Sequence, residues 1–422
     1  MKLSKELKVI YLWAVISSFF LVIVWGVKES YDSSSYIHAW DTISNGQIDI
    51  FRTPVYPLFL GICKTIFGVP TFKYVVIILQ HLLFLISIYH FNQMALWIIK
   101  NVRISFWITL FYAIYPAITT WNNCILTESF AVVGVVFLLY YSIRLYQRFS
   151  LQSTFLFLFW FIFLVFLRPS FLYLLPIYAV FWSSCLLVKR SSNILSGMLC
   201  TVVVIFFQLM YISHFKQTYG VFSPSSVSVI NQYYMTRQNG LIYVNGIINN
   251  DIKEEIKRSI IDNGLTTNNH SVIWKETSGL IHDYPLKDVQ QVISVSMRNN
   301  PLGYLKKAGG RAYKAANYPI LVSKIDVFST FFDMFGANIS FLYLFLLIYA
   351  IIIMYWLIKK KKIPYFSILL FMIGVSNMVT IIVGAQQEWS RLLLPSISIY
   401  LLMMGQLCGL LKVKKLTSID FE

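Results

Sequence analysis

The chain has 422 residues, 57% of them hydrophobic and only 13% charged, with a mean hydropathy of +0.66. Soluble domains carry about 25% charged residues, so this composition excludes a water-soluble globule along with disordered, collagen-like and disulfide-framework chains. The formal charge of +17 would suit nucleic acid only if it were gathered on one polar face, and the distribution traced below argues against that partner.

Crossing a bilayer takes about 20 apolar residues, and the first such stretch is 9–27. It follows Lys2, Lys5 and Lys8 as a signal peptide would, but its apolar core is longer than the usual ~7–15 residues and no small-residue cleavage pattern follows. It is expected to stay as an anchor. Residues 28–73 are mixed in polarity, and PLFLGICKTIFGV at 57–69 is too short to cross, so it is expected to lie along the interface. Further spans are predicted at 74–99, 104–118, 129–147, 153–167, 170–188 and 194–213, with Trp121–Glu128 as a second outward connection. Arg168 and Pro169 divide a nearly continuous apolar run into a tight hairpin.

Most of the polar matter lies in 214–336, where 251–262, 285–299 and 301–317 read as helices, with Pro285 and Pro301 at first-turn positions. Three last spans follow at 337–358, 363–383 and 392–411. The expected fold is thus an all-α polytopic membrane protein. It has about ten transmembrane helices, interfacial helices in the first outer loop and a small, mainly helical cap. Its parts are an N-terminal module of about seven spans (1–213), the cap (214–336) and a C-terminal module of about three (337–422).

With the amino terminus in the cytoplasm, the inner segments hold sixteen basic residues, including Lys100, Arg103, Arg144, Arg148, Lys189, Arg190 and Lys359–Lys362. The short outer connections hold six: Lys28, Arg52, Lys64, Lys73, Arg168 and Arg391. This asymmetry orients the chain and gives contacts to anionic lipid headgroups, with no nucleic-acid stripe.

Ionisable groups at span ends are costly next to lipid and therefore mark candidate sites, although snorkelling to the headgroups also accounts for them. They fall on the outer side. Asp32, in YDSSSYIHAWDTISNG, begins a helix with Tyr36, Ala39 and Ile43 on one face, and serves either as its N-cap or as a functional carboxylate. Asp41 and Asp49 read as solvated or capping. RTPVYPLFLG joins Arg52 to two prolines and Tyr56, a rigid cationic collar suited to holding phosphate through two guanidinium donors. Glu128 in ILTESF opens a span that Thr127 is placed to cap, and Glu388 stands three residues before Arg391 in QQEWSRLLLP, a spacing for a local ion pair.

Other chemistries lack support. The histidines show no HExxH pattern, GICKT lacks the second glycine of a phosphate loop, and His81 and His90 read as groups satisfied by neighbouring helices. No CxxC pair occurs, and Cys63 and Cys124 are either free thiols or an oxidised pair on the outer face.

The order of Asp32 with Tyr36, RTPVYPLFLG, LTESF, LRP at 167–169 and a closing EWSRLLLP resembles the GT-C superfamily of polytopic glycosyltransferases. The likeness is nearest to bacterial members related to protein O-mannosyltransferases and aminoarabinose transferases, and it covers most of the chain through short motifs. It implies an enzyme of the bacterial inner membrane that moves a sugar from a polyprenyl-phosphate carrier to an acceptor hydroxyl on the periplasmic side. The acceptor would be a lipid-linked glycan, a polysaccharide or a protein. By likeness Asp32 activates the acceptor, Arg52 and Arg391 hold the donor phosphate, and Glu128 and Glu388 are acids bordering the cavity; Glu128 is counted with Asp32 as catalytic, Arg168 joins the phosphate-holding set, and Tyr36, Tyr56 and Glu388 are expected to contact substrate. Many relatives carry two adjacent acids where Asp32 stands between Tyr31 and Ser33. A divalent metal is therefore poorly provided for unless Glu128 or His38 joins Asp32, and no cofactor is required. A lipid-linked glycan flippase and a glycan ligase of similar fold are the competing readings; the first needs charges or helix breakers in mid-span, which this chain mostly lacks.

Overall fold

The computed structural model describes residues 4–318, 338–360, 364–384 and 389–413. The described residues are mostly helical, without a strand; an isolated bridge joins Lys28 to Cys124. In chain order the helices are α1 (Lys5–Trp25), α2 (Tyr31–Ser44), α3 (Val55–Phe67), α4 (Phe72–Ile99), α5 (Val102–Ile114), α6 (Pro116–Trp121), α7 (Glu128–Gln147) and α8 (Leu151–Leu167). They continue with α9 (Leu174–Val188), α10 (Ser192–Tyr219), α11 (Val227–Gln238), α12 (Asn250–Asn263), α13 (His270–Asp283), α14 (Leu286–Asn299) and α15 (Pro301–Ala316). The last four are α16 (Ile339–Lys360), α17 (Tyr365–Gly384), α18 (Trp389–Leu393) and α19 (Ile397–Val413).

Among the described residues nine helical segments are long and apolar enough to cross a membrane: Lys5–Trp25, Phe72–Ile99, Val102–Trp121, Glu128–Gln147, Pro169–Val188, Ser192–Tyr219, Ile339–Lys359, Tyr365–Gly384 and Trp389–Leu410. The chain is a multi-pass membrane protein of the all-α class. The remaining expected span is α8, whose 17 residues reach about 25 Å at 1.5 Å per residue. Arg168, just past its end, meets Glu128 at the first residue of α7. α8 therefore runs back along the whole of α7.

Local chemistry sets many of the ends. Ser4, Asn101 and Ser150 accept backbone N–H groups at the starts of α1, α5 and α8, and Gly220 closes α10 in the left-handed region. α10 continues to Tyr219, beyond the predicted limit at 213, and carries the chain into the polar segment.

One hydrophobic core joins the spanning helices and a second, built around Phe215, Tyr233, Ile252, Leu280 and Val292, fills the polar segment. Among the described residues this segment holds five helices where three were expected. α13 escaped notice because its inner face, Ile273, Thr277, Leu280 and Ile281, also includes Glu276. That carboxylate is buried with Arg237, whose Nε donates to it at 3.1 Å. Pro301 takes the first helical position of α15, whereas Pro285 stands just before α14. The part of the predicted cap from 319 to 336 lies outside the described residues.

The Trp121–Glu128 connection is buried: Asn122, Asn123 and Thr127 have no accessible surface. Backbone that is neither helical nor hydrated must be bonded by protein. Gln80 Nε2 donates to the carbonyls of Asn122 and Cys124 at 2.8 and 2.9 Å, and Lys28 and Ile125 complete the bridge with Asn123. Cys63 and Cys124 are buried and form no disulfide.

Candidate functional site

Asp32 lies in the first turn of α2, but it is not the cap. Ser30 fills that role, accepting the Asp32 N–H while Ser33 Oγ accepts the Ser30 N–H in a reciprocal box. Ser33 Oγ also donates to the Ile125 carbonyl at 2.9 Å, fixing α2 onto the buried connection. The Asp32 carboxylate is thereby left for other partners. Arg52 Nη2 donates to its Oδ1 at 2.7 Å, and Arg391 Nη2 stands 3.5 Å from Oδ2.

Arg52 is held in place along its whole length. Asp49 Oδ1 accepts the backbone N–H groups of Phe51 and Arg52, Ser35 Oγ accepts from Arg52 Nε at 2.8 Å, and the guanidinium carbon sits 4.1 Å from the Tyr36 ring centre. Asp49 is thus a turn former. Thr53 Oγ1 donates to the Leu167 carbonyl at 2.9 Å, tying this loop to the end of α8. Arg168, extended as the residue before a proline must be, follows immediately.

Glu128 opens α7 with a side chain only 1% exposed. Arg168 Nη2 donates to its Oε1 at 3.0 Å, and Arg391 Nε stands 3.2 Å from the same oxygen. Thr127 does not cap the helix through its side chain. Arg391, on the short helix α18, also lies 5.7 Å from the Trp121 ring centre. It bridges the two acids. Three guanidinium groups from three distant segments thus surround two carboxylates, leaving one net positive charge.

Burial raises the Asp32 pKa, but the charge and hydrogen bond of Arg52 and the charge of Arg391 outweigh it and hold the carboxyl below its ordinary value. At neutral pH Asp32 is ionised. It is also the more open acid, with its side chain 41% exposed.

Tyr36 packs edge-on against Tyr56 at 5.2 Å between ring centres. Tyr56 has no exposed surface and donates to Gln80 Oε1 at 3.0 Å, so it supports the site from behind. Glu388 lies outside the described residues. Sequence reasoning missed Gln80 and Asn123. Asn123 Nδ2 donates to the carbonyls of Leu21 and Gly26, and its Oδ1 meets His81 Nε2 at 2.8 Å. The visible signal was the pair of polar residues in the middle of an apolar span, Gln80 and His81, facing two consecutive asparagines.

The donor set does not suit a divalent cation. Asp32 and Glu128 are bound by guanidinium groups, His38 Nδ1 faces the Ser34 carbonyl at 2.7 Å, and no three His, Cys, Asp or Glu side chains converge among the described residues. What the cluster offers is an ionised, partly open carboxylate beside three fixed cations. No protein-family model matches the chain, and no curated protein matches its sequence.

Proposed function

We propose that the protein is a membrane glycosyltransferase that moves a sugar from a polyprenyl-phosphate carrier to an acceptor hydroxyl, with Asp32 as general base. The observation that carries this reading is the placement of Asp32, open on one side and held at the other by Arg52, in a cluster with one net positive charge. A base and a phosphate-holding cation set are the two things that glycosyl transfer from a lipid phosphate needs.

In the reaction the acceptor oxygen attacks the anomeric carbon while its proton passes to Asp32. The bond from that carbon to the phosphate oxygen breaks, and the electron pair leaves with the phosphate. Arg52, Arg168 and Arg391 stabilise the charge that develops there, and a single displacement inverts the anomeric centre. The bond to the carrier phosphate supplies the driving energy, and the chemistry asks for no nucleotide. Glu128 positions Arg168 and Arg391. The basic residues near the opposite helix ends support an amino terminus in the cytoplasm of a bacterial inner membrane, a site facing the periplasm and a periplasmic location for residues 214–336.

The test is to incubate purified protein with labelled polyprenyl-phosphate sugars and membrane extracts, with and without chelator. Label on a glycan or protein acceptor supports the transferase. Carrier lipid that merely changes leaflet in sealed vesicles, with no sugar transferred, would replace it with a flippase.

A further inference from the structure

Helix α15 ends the polar segment but packs on the spanning bundle. Its Ala312 and Ala315 join the core of the spanning helices, against α16 and α17. Tyr343, one turn into α16, donates to the Ala312 carbonyl at 2.9 Å, and the Ile339 N–H donates to the Tyr318 carbonyl at 2.8 Å. Tyr318 meets Trp389, the first residue of the last span, edge-on at 4.8 Å between ring centres. The span that starts at Ile339 has 21 residues, about 31 Å at 1.5 Å per residue, which matches the hydrocarbon core of a bilayer. Its first turn marks the edge of the hydrocarbon, and α15 lies at that edge.

Three sectors run along α15. Ala312 and Ala315 face the bundle. Leu302, Leu305 and Tyr313 fall within ~80° of one another at 3.6 residues per turn. They are 76%, 69% and 75% exposed, an apolar face left uncovered by the described residues. Lys307, Arg311 and Lys314, spaced four and three apart, share the remaining face. Both lysines are exposed, and the sequence 301–317 contains no acid. An apolar sector beside a basic one is the pattern of a helix that lies in a bilayer interface.

Arg311 is less open than its neighbours. Protein covers its Nε and Nη1, and neither has a hydrogen-bond partner among the described residues. Burial lowers its pKa, yet the residue keeps partial exposure, so one edge is accessible. A guanidinium drawn half out of water with bare donors is costly. A phosphate at the open edge offsets that cost with opposite charge and acceptor oxygens together.

We infer that α15 is an interfacial helix that binds an anionic phospholipid of the leaflet where α16 begins. Its apolar sector rests in the acyl chains, and the headgroup phosphate sits at Arg311 between Lys307 and Lys314. Arg311 takes no part in the ion-pair cluster, and the inference does not rest on the transferase reading. Each basic residue near the surface favours an anionic over a neutral headgroup about fivefold.

The full chain is placed in phosphatidylcholine nanodiscs with a trace of phosphatidylglycerol that carries a diazirine beside its phosphate. After irradiation and digestion, labelled peptides are quantified by mass spectrometry. The expected label concentrates on residues 301–317, and excess unlabelled phosphatidylglycerol lowers it about fivefold or more. Arg311→Gln lowers it about fivefold while label on other peptides is unchanged, and Arg311→Lys, which keeps the charge, retains most of it. The competition uses the wild type and so depends on no variant folding. Label no denser on α15 than elsewhere, label that survives unlabelled phosphatidylglycerol, displacement by polyprenyl phosphate but not by phosphatidylglycerol, or full label in a monodisperse Arg311→Gln protein each overturn the assignment.

Discussion

Replacing Glu128 by Gln keeps its shape and removes one charge where two guanidinium groups converge. Its side chain is 1% exposed, with Arg168 at 3.0 Å and Arg391 at 3.2 Å on the same oxygen, and both arginine side chains are 11% exposed. The substitution leaves the cluster with two net positive charges and only Asp32 to balance them. Removing one partner of a buried pair costs about 3–5 kcal/mol, because the other charge stays buried without compensation. Removing Arg168 as well relieves that penalty, so Glu128→Gln/Arg168→Met is expected to lose about 1–3 kcal/mol less than the sum of the single variants. The assay is reversible unfolding in mixed micelles, followed by tryptophan fluorescence, across the four members of the cycle. A loss under about 1 kcal/mol for Glu128→Gln, with additive behaviour in the double variant, would refute the view that Glu128 is the buried counter-ion organising the arginines.

Asp32 is predicted to behave in the opposite way. Its pair with Arg52 is too exposed to contribute much to stability, so Asp32→Asn should unfold nearly as the wild type does while transfer falls by at least about 100-fold; full activity in that variant rejects the base assignment. Because the Asp32 pKa is lowered, activity should hold as pH falls through the ordinary carboxylate range near about 4 and disappear only below it. Arg52→Gln removes the main opposing charge and leaves burial to act, so the acid limb of a pH–rate profile should move upward. Asn123→Ala deletes the bonds to Leu21, Gly26 and His81 and should cost about 1–3 kcal/mol in the same unfolding assay. A methyl group added at Gly61 would meet the Trp40 ring at 1.9 Å, so Gly61→Ala should force α2 from α3, lowering stability by about 1–3 kcal/mol and transfer with it.

Lipid made much of this architecture readable in advance. A charge beside hydrocarbon stands out in an apolar chain, and Asp32, Arg52, Glu128, Arg168 and Arg391 were all visible for that reason. Their pairing was less visible. The i, i+3 spacing pointed Arg391 toward Glu388, which lies outside the described residues, and gave no sign of the acids 359 and 263 positions earlier in the chain that the structure brings to it. Such contacts are decided by which helix ends meet. The capping of α2 was legible in principle, since Ser30 and Ser33 have capping-box spacing, but Asp32 is an equally good cap by residue type. The burial of residues 122–127 was hidden because a short polar stretch between two spans is usually hydrated; Gln80 and His81 are what allow it to be dry.

Arg391 touches both acids, and this shapes which solutes can enter the cluster. An arriving anion competes there with internal carboxylates already seated, a stiffer rival than water. A monovalent ion that grips one guanidinium gains no more than the acid it evicts. A phosphodiester, whose oxygens can reach two or three arginines together, is the kind of guest that wins the exchange. On the transferase reading, the resting protein would select by denticity before any chemistry begins, and the carboxylate set free by that exchange would be left beside the guest that displaced it.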